Sequence, residues 1–128
     1  MVDPILQADS YQLAKKLMDG SALRQQAIAS NIANASTPGY HRIDLAADFA
    51  QQLRASYAAG GRPAASNDSL QPSLVEDKDA RSVSPDGNNV GMERELLAMN
   101  QNSVEYGFES EVVSQNIKQL KIAITGQP

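Results

Sequence analysis

From Met92 onward, Met92, Met99, Tyr106, Val113 and Leu120 recur every seven residues. Leu96, Ser103, Ser110, Ile117 and Ile124 make a second row, four residues further on. Two rows with a period of seven and an offset of four form a heptad seam, which is the signature of a helix that packs along another helix. Glu93 and Glu95 stand in the first turn and Lys118 and Lys121 near the end, the arrangement that the helix dipole favours. Gly126 and Pro128 are stop signals. The middle of the seam is thin, because Ser103, Gly107 and Ser110 are too small to fill a core. Such residues allow another helix to approach closely. Leu97, Val104 and Phe108 add a second apolar patch, so this helix is expected to touch more than one neighbour.

The other end of the chain carries a matching pattern. Pro4 to Asn34 reads as one helix, with Asp3 as N-cap and Pro4 at the first helical position, where a missing N–H costs nothing. Leu6, Leu13, Leu17, Ile28 and Ile32 follow one another at steps of 7, 4, 11 and 4 residues. Those steps keep them on one face. Ser21, Arg24 and Gln25 interrupt the stripe, and Gly20 weakens its middle. Asn31 and Asn34 lie three residues apart near the helix end, where asparagine competes with the backbone for hydrogen bonds. Their amides are expected to bond the turn backbone or a neighbouring chain and to fix register. Thr37-Pro38-Gly39-Tyr40 then reads as a type II turn, with Pro presetting φ and Gly accepting positive φ.

Between the helices the signals are weaker. Asp44 to Tyr57 reads as a short helix capped by Asp44, with Leu45, Phe49 and Leu53 four apart. Residues 60–89 are rich in Gly, Pro, Asn, Asp and Ser, and predict an exposed loop region with one short strand or hairpin around Leu74-Val75 and Ser82-Val83. The carboxylates of Glu76, Asp77 and Asp79 alternate with Lys78 and Arg81 and read as a solvated loop. The predicted fold is mainly α. Long N-terminal and C-terminal helices pack as a coiled-coil-like pair, with an irregular, partly flexible middle that holds a short helix and a short β hairpin. Three units follow: residues 1–40, the N-terminal helix and turn; 41–89, the short helix and loop region; and 90–128, the heptad helix.

Composition narrows function by exclusion. Alanine supplies much of the 41% hydrophobic fraction and aromatics only 5%, so a thick self-sufficient core is doubtful and partners are expected to bury the apolar stripes. The formal charge is −4 with no basic run, which argues against nucleic acid. No apolar stretch approaches the ~20 residues of a membrane span. Cysteine is absent and His41 is the one histidine, so zinc sites and thiolate chemistry are not expected. No phosphate-binding glycine loop or GxSxG elbow is present. Glu109 and Glu111 stand two apart on a helix and diverge. No catalytic residues, cofactor or metal are therefore expected. The first residues, "MVDPILQADS", carry no basic and apolar signal-peptide pattern, so export, if it occurs, is expected to take another route.

"ASNIANASTPGY", Ala29 to Tyr40, resembles the N-terminal signature of the flagellar axial proteins, with Asn31, Ile32, Ala33, Asn34, Thr37, Gly39 and Tyr40 on the pattern. Pro38 and the following "HRIDLAADF" are most similar to the proximal rod proteins, although His41 stands where a lysine is common. The C-terminal segment resembles the same family in its N-x-V start, acidic first turn, asparagine-rich middle and LK-x-AI finish. The middle, residues 60–87, matches little.

The resemblance implies a structural subunit of the flagellar basal-body rod that stacks its two terminal helices with those of neighbouring subunits. Residues 31–34 and 37–40 would form the assembly motif. Leu6, Leu13, Leu17, Ile28, Met92, Leu96, Met99, Tyr106, Val113, Ile117, Leu120 and Ile124 would form the coiled-coil interface. Implied partners are further copies, other rod proteins, a rod-base protein, the MS-ring protein and the flagellar type III export apparatus. The implied place is the periplasmic rod, reached without a cleaved signal, with termini that fold on assembly. The competing reading from residues alone is a soluble helical adaptor or chaperone, folded as a hairpin or coiled-coil dimer.

Overall fold

A computed structural model describes residues 4–58, 70–81 and 83–127, without the side chains of residues 4–10. Asp3, Ser82, Pro128 and the side chain of Leu6 lie outside those described residues. Helix α1 runs from Pro4 to Ala33 over 30 residues, strand β1 covers Ile43–Leu45, and helix α2 covers Asp48–Ala58. Strand β2 covers Leu74–Glu76, and helix α3 runs from Met92 to Thr125 over 34 residues. At ~1.5 Å per residue the two long helices span ~45 and ~51 Å. Asn31 bonds Glu95, and Ser21 bonds Glu109. Moving backward along α1 thus means moving forward along α3, so the long helices pack as a pair, as expected, and their orientation is antiparallel.

Two local expectations are corrected. Asp44 does not cap a helix; it lies in β1, and α2 begins at Asp48, whose carboxylate accepts a bond from Gln52 at 2.6 Å. The chain is pulled into a strand there by pairing with β2, in the register Ile43↔Glu76, Asp44↔Val75 and Leu45↔Leu74. β2 therefore pairs across the whole intervening segment with β1, not with a strand at Val83, which is exposed coil. Non-local pairing overrides the local helix signal of Asp44.

The core is small. Ala14, Ala27, Ile28, Phe49, Leu53 and Ala98 are its buried apolar residues among those described. Burying Ile28 and Leu53 contributes ~1.5–3 kcal/mol each. Gly20 has a definite role here, because a Cβ at that position would lie 2.9 Å from Cε1 of Phe49. The missing side chain lets the α2 ring settle against α1.

The face that α3 turns to α1 carries Glu95, Ala98 and Asn102, all buried. Leu96, Met99 and Ser103 each follow one position later, rotated by ~100° about the axis. Within one chain, then, the heptad seam is not the face packed on α1. Met92, Leu96, Tyr106, Ile117, Leu120 and Ile124 are exposed, and Met99 and Val113 are half-buried. A Cβ added to Gly107 would meet nothing within 4 Å, so the small-residue stretch also faces outward.

Candidate functional site: a buried polar knot behind the turn

The turn itself has the expected geometry. Gly39 has φ 72°, and the Tyr40 N–H donates to the Thr37 carbonyl at 3.2 Å. Positive φ at the third position defines type II and explains glycine there. The Gly39 N–H donates to the Asp86 carbonyl at 2.9 Å, which ties the turn to the segment before α3. Ala33, Thr37, Pro38 and Gly39 are exposed, Ile32, Asn34 and Tyr40 are half-buried, and Asn31 is fully buried.

The two asparagines do different work. Asn31 Nδ2 donates to the Ile43 carbonyl at 2.8 Å, and its Oδ1 accepts from the Ile43 N–H at 3.0 Å. In an antiparallel pair alternate residues face the partner strand. Arg42 and Ala46 face β2, the Asp77 N–H donating to the Arg42 carbonyl and the Ala46 N–H to the Ser73 carbonyl. Ile43 consequently points both backbone groups the other way, and the Asn31 amide satisfies them as a peptide of a third strand would. Asn31 Nδ2 also donates to Glu95 Oε2 at 3.2 Å, and its Oδ1 accepts from the Tyr40 hydroxyl at 3.1 Å. That commits the Tyr40 hydrogen, so Ser30 Oγ, 3.1 Å away, donates to the Tyr40 oxygen. Asn34 is local by comparison. Its Nδ2 donates to the Ser30 carbonyl one turn back, and its Oδ1 accepts from Thr37 Oγ1.

Around Asn31 lies a set of charges that the sequence did not reveal as a site. Arg42 and Glu95 are both buried, and Arg42 Nε donates to Glu95 Oε1. Arg42 also donates to Asp44 at 3.0 Å and Asp77 at 2.6 Å. Burial by itself lowers the basicity of the Arg42 guanidinium, but its bonds to Glu95 and Asp44 and their charges outweigh this and raise it. Burial likewise pushes the Asp44 carboxyl up, yet Arg24, the Leu45 N–H and Arg42 together hold it below its ordinary range. Glu95 keeps its expected place in the first turn of α3, where the dipole favours an acid, and Arg42 draws it inside. One reading is corrected here. Asp77 is no solvated loop carboxylate, because it takes Arg42 and, at 3.4 Å, Arg94. His41 stays outside and pairs with Glu76 at 2.9 Å.

Asn88 and Asn89 close the knot from the far side. Asn88 Nδ2 donates to the carbonyls of Asn34 and Thr37 at 2.9 and 2.8 Å, covering the end of α1 and the start of the turn. Asn89 Oδ1 accepts from the Arg42 N–H at 2.6 Å, and the Asn89 N–H donates to the Tyr40 carbonyl. These residues read locally as loop breakers. The available hint was an adjacent asparagine pair directly before a long helix.

The polar theme continues along the helix pair. Asn102 Nδ2 donates to the Ser21 carbonyl at 2.9 Å and to Gln25 Oε1 at 3.0 Å. Ser21 Oγ donates to Glu109 Oε2 at 2.9 Å, and Arg24 reaches Asp44 at 3.1 Å. The residues that seemed to interrupt the α1 stripe therefore join α1 to α3, Ser21 and Gln25 by hydrogen bonds and Arg24 by its ion pair with Glu105 at 4.0 Å, and Arg24 ties α1 to β1 as well. Leu13 and Leu17 line an open groove of about 650 Å³ beside them. Among the described residues no group of three His, Asp or Glu side chains could hold a metal ion, and no helix is long and apolar enough to cross a membrane. The knot locks backbone to backbone, so its capability is positional.

Comparison with known proteins points the same way as the turn. The family described as "Flagella basal body rod protein" matches residues 20–41, which span the end of α1, the turn and the knot's first half. The flagellar basal body rod protein FlgB of Escherichia coli K12 is 32% identical over 133 residues, covering 92% of this chain and 93% of that relative. FlgB of Cereibacter sphaeroides is 35% identical over 117 residues, covering 81% and 84%. FlgB of Salmonella typhimurium is 31% identical over 120 residues, covering 82% and 85%. With relatives of this identity aligned over nearly their whole length, the chain belongs to the FlgB family of flagellar basal body rod proteins.

Proposed function

We propose that the chain works as a structural subunit of the proximal rod, assembling through the outward faces of α1 and α3 and passing torque from the MS ring to the distal rod and hook. The observation that carries this reading is the inverted packing of α3. Its buried positions are Glu95, Ala98 and Asn102, while Leu96, Leu97, Val104, Phe108, Leu120 and Ile124 stay exposed. Exposed apolar patches on more than one side of a helix of that length are the mark of surfaces that partners cover. Partners of matching chemistry are further copies, neighbouring rod proteins, a rod-base protein and the MS-ring protein. Delivery to the periplasmic rod runs through the flagellar export apparatus. In this scheme residues 31–34 and 37–40 set the angle at which the chain leaves the axial helices, and the knot holds that angle.

The test is complementation of a cell that lacks its own copy. Val113→Asp places a charge on the half-buried seam and is expected to abolish rods and motility while protein level stays normal. Wild-type swarming by that variant overturns the reading.

A further inference from the structure

The geometry points to the groove between α1, α2 and α3 as the seat for the C-terminal end of α3 from a second copy of this chain. The inference rests on the rod-subunit reading and names one contact within it. Leu13 and Leu17 of α1, Phe49 of α2 and Phe108 and Val112 of α3 give the groove apolar walls. Asn102 also lines it. That residue is 2% exposed, and its Oδ1 is the one buried side-chain polar atom without a hydrogen-bond partner among the described residues. A buried acceptor left unmatched asks for a donor from outside. The charged groups along the groove are Arg24, Asp44, Arg54, Glu105 and Glu109. Arg24 pairs with Asp44 at 3.1 Å and with Glu105 at 4.0 Å, and Glu109 accepts from Ser21, so the groove as a whole sets two arginines against three carboxylates and is net negative.

The end of α3 has the complementary character. Ile117, Leu120 and Ile124, at steps of three and four, form one exposed row. Lys118 and Lys121 flank that row, and residues 117–127 hold no acid. A chain cannot fill its own groove with this segment. α3 is unbroken to Thr125, so Leu120 lies ~12 Å further along the same axis than Val112. The occupant comes from another molecule. Groove and helix end are different patches, so the contact is heterologous. It repeats from copy to copy instead of closing as a symmetric pair, and it generates a ring or helical array.

The chain has no cysteine, so introduced cysteines report alone. A full-length Leu17→Cys/Leu120→Cys variant, expressed in place of the native copy, is oxidised in isolated basal bodies. The expected result is a ladder of disulfide-linked dimers, trimers and higher forms, at least tenfold above a Val75→Cys/Leu120→Cys control. Linkage no greater than that control overturns the proposal. If the cysteine variant does not assemble, charge reversal decides. Glu105→Lys and Lys121→Glu each reduce motility severalfold, and the two together restore it; absence of restoration overturns the contact. The rod reading has its own readout. Should Val113→Asp abolish rods while the ladder is missing, this contact falls and the rod reading stands. Should Val113→Asp swim normally, both fall.

Discussion

The first third of α3 and its remaining two thirds are parts of one continuous helix with opposite strategies. From Met92 to Asn102 the helix is held by polar groups, with Glu95 on Arg42 and Asn31, and Asn102 on Ser21 and Gln25. From Val104 to Ile124 large apolar side chains stand in solvent. Hydrogen bonds and buried ion pairs demand one geometry, and they are poorly suited to adding net stability. Apolar area is non-directional and supplies most association energy. The chain thus spends directional groups on fixing its own shape at the turn and leaves non-directional surface for contacts made elsewhere.

The contrast can be broken at its strongest point first. Arg42→Ala strands the buried Glu95 carboxylate, and a loss of about 3–5 kcal/mol is expected in urea unfolding of the purified chain. A loss under 1 kcal/mol would mean that the knot is not a structural lock. Next come the asparagines. Asn31→Ala leaves the Ile43 N–H and carbonyl unmatched inside, at a cost of about 2–4 kcal/mol. Asn34→Ala removes local bonds at a half-buried site and costs about 1 kcal/mol or less. Equal effects would erase the distinction between them. Gly39→Val forces a β-branched residue to positive φ and is expected to cost about 1–2 kcal/mol, read as a lower Tm.

A fourth, smaller effect concerns pH. Burial pushes the Glu109 carboxyl up, the charge of Glu105 adds to this, and Ser21 and Arg54 oppose it without cancelling it. A carboxyl whose pKa is raised in the folded state binds its proton more tightly there, so stability falls as pH rises from about 4.5 through the raised value. Glu109→Gln keeps an acceptor for Ser21 and should flatten this part of the stability–pH curve. An unchanged slope would show that Glu109 is not its source. Asp44 has the opposite sign, with a contribution present above its ordinary pKa of 3.8 and lost as pH falls through its lowered folded value. Smallest of all is Ile124→Ser, which is expected to move the stability of the isolated chain by no more than about 0.5 kcal/mol. A large loss there would place the end of α3 in the intramolecular fold and remove the contrast.

Much of the architecture was legible from local pattern. The two long helices follow from apolar periodicity, and the Thr37–Tyr40 turn follows from a Pro-Gly pair whose φ preferences leave little choice. The family followed from a dozen residues around that turn. The knot was not legible, and Glu95 shows why. In the sequence it is one of two acids in a first helical turn, where exposure is the ordinary outcome. Its burial depends on Asn31 and Arg42, which are 64 and 53 residues away. The same holds for Asp44, whose local surroundings favour a helix cap and whose pairing with β2 makes it part of a strand.

The sequence by itself determined the helices, the turn and the family, because periodicity, φ preference and motif spacing act within a few residues. The tertiary structure decided which face of each helix turns inward. The apolar rows of α3 predicted a seam, yet inside one chain the inward places of α3 are held by glutamate, alanine and asparagine, while on α1 Ile28 of the predicted stripe is buried beside Ala27, Ser21 and Asn31. Small and polar side chains at those positions let α1 and α3 approach closely and satisfy one another, and a buried polar group is stable only where every partner is in place. That condition links residues far apart in the chain, so only the folded chain could reveal it.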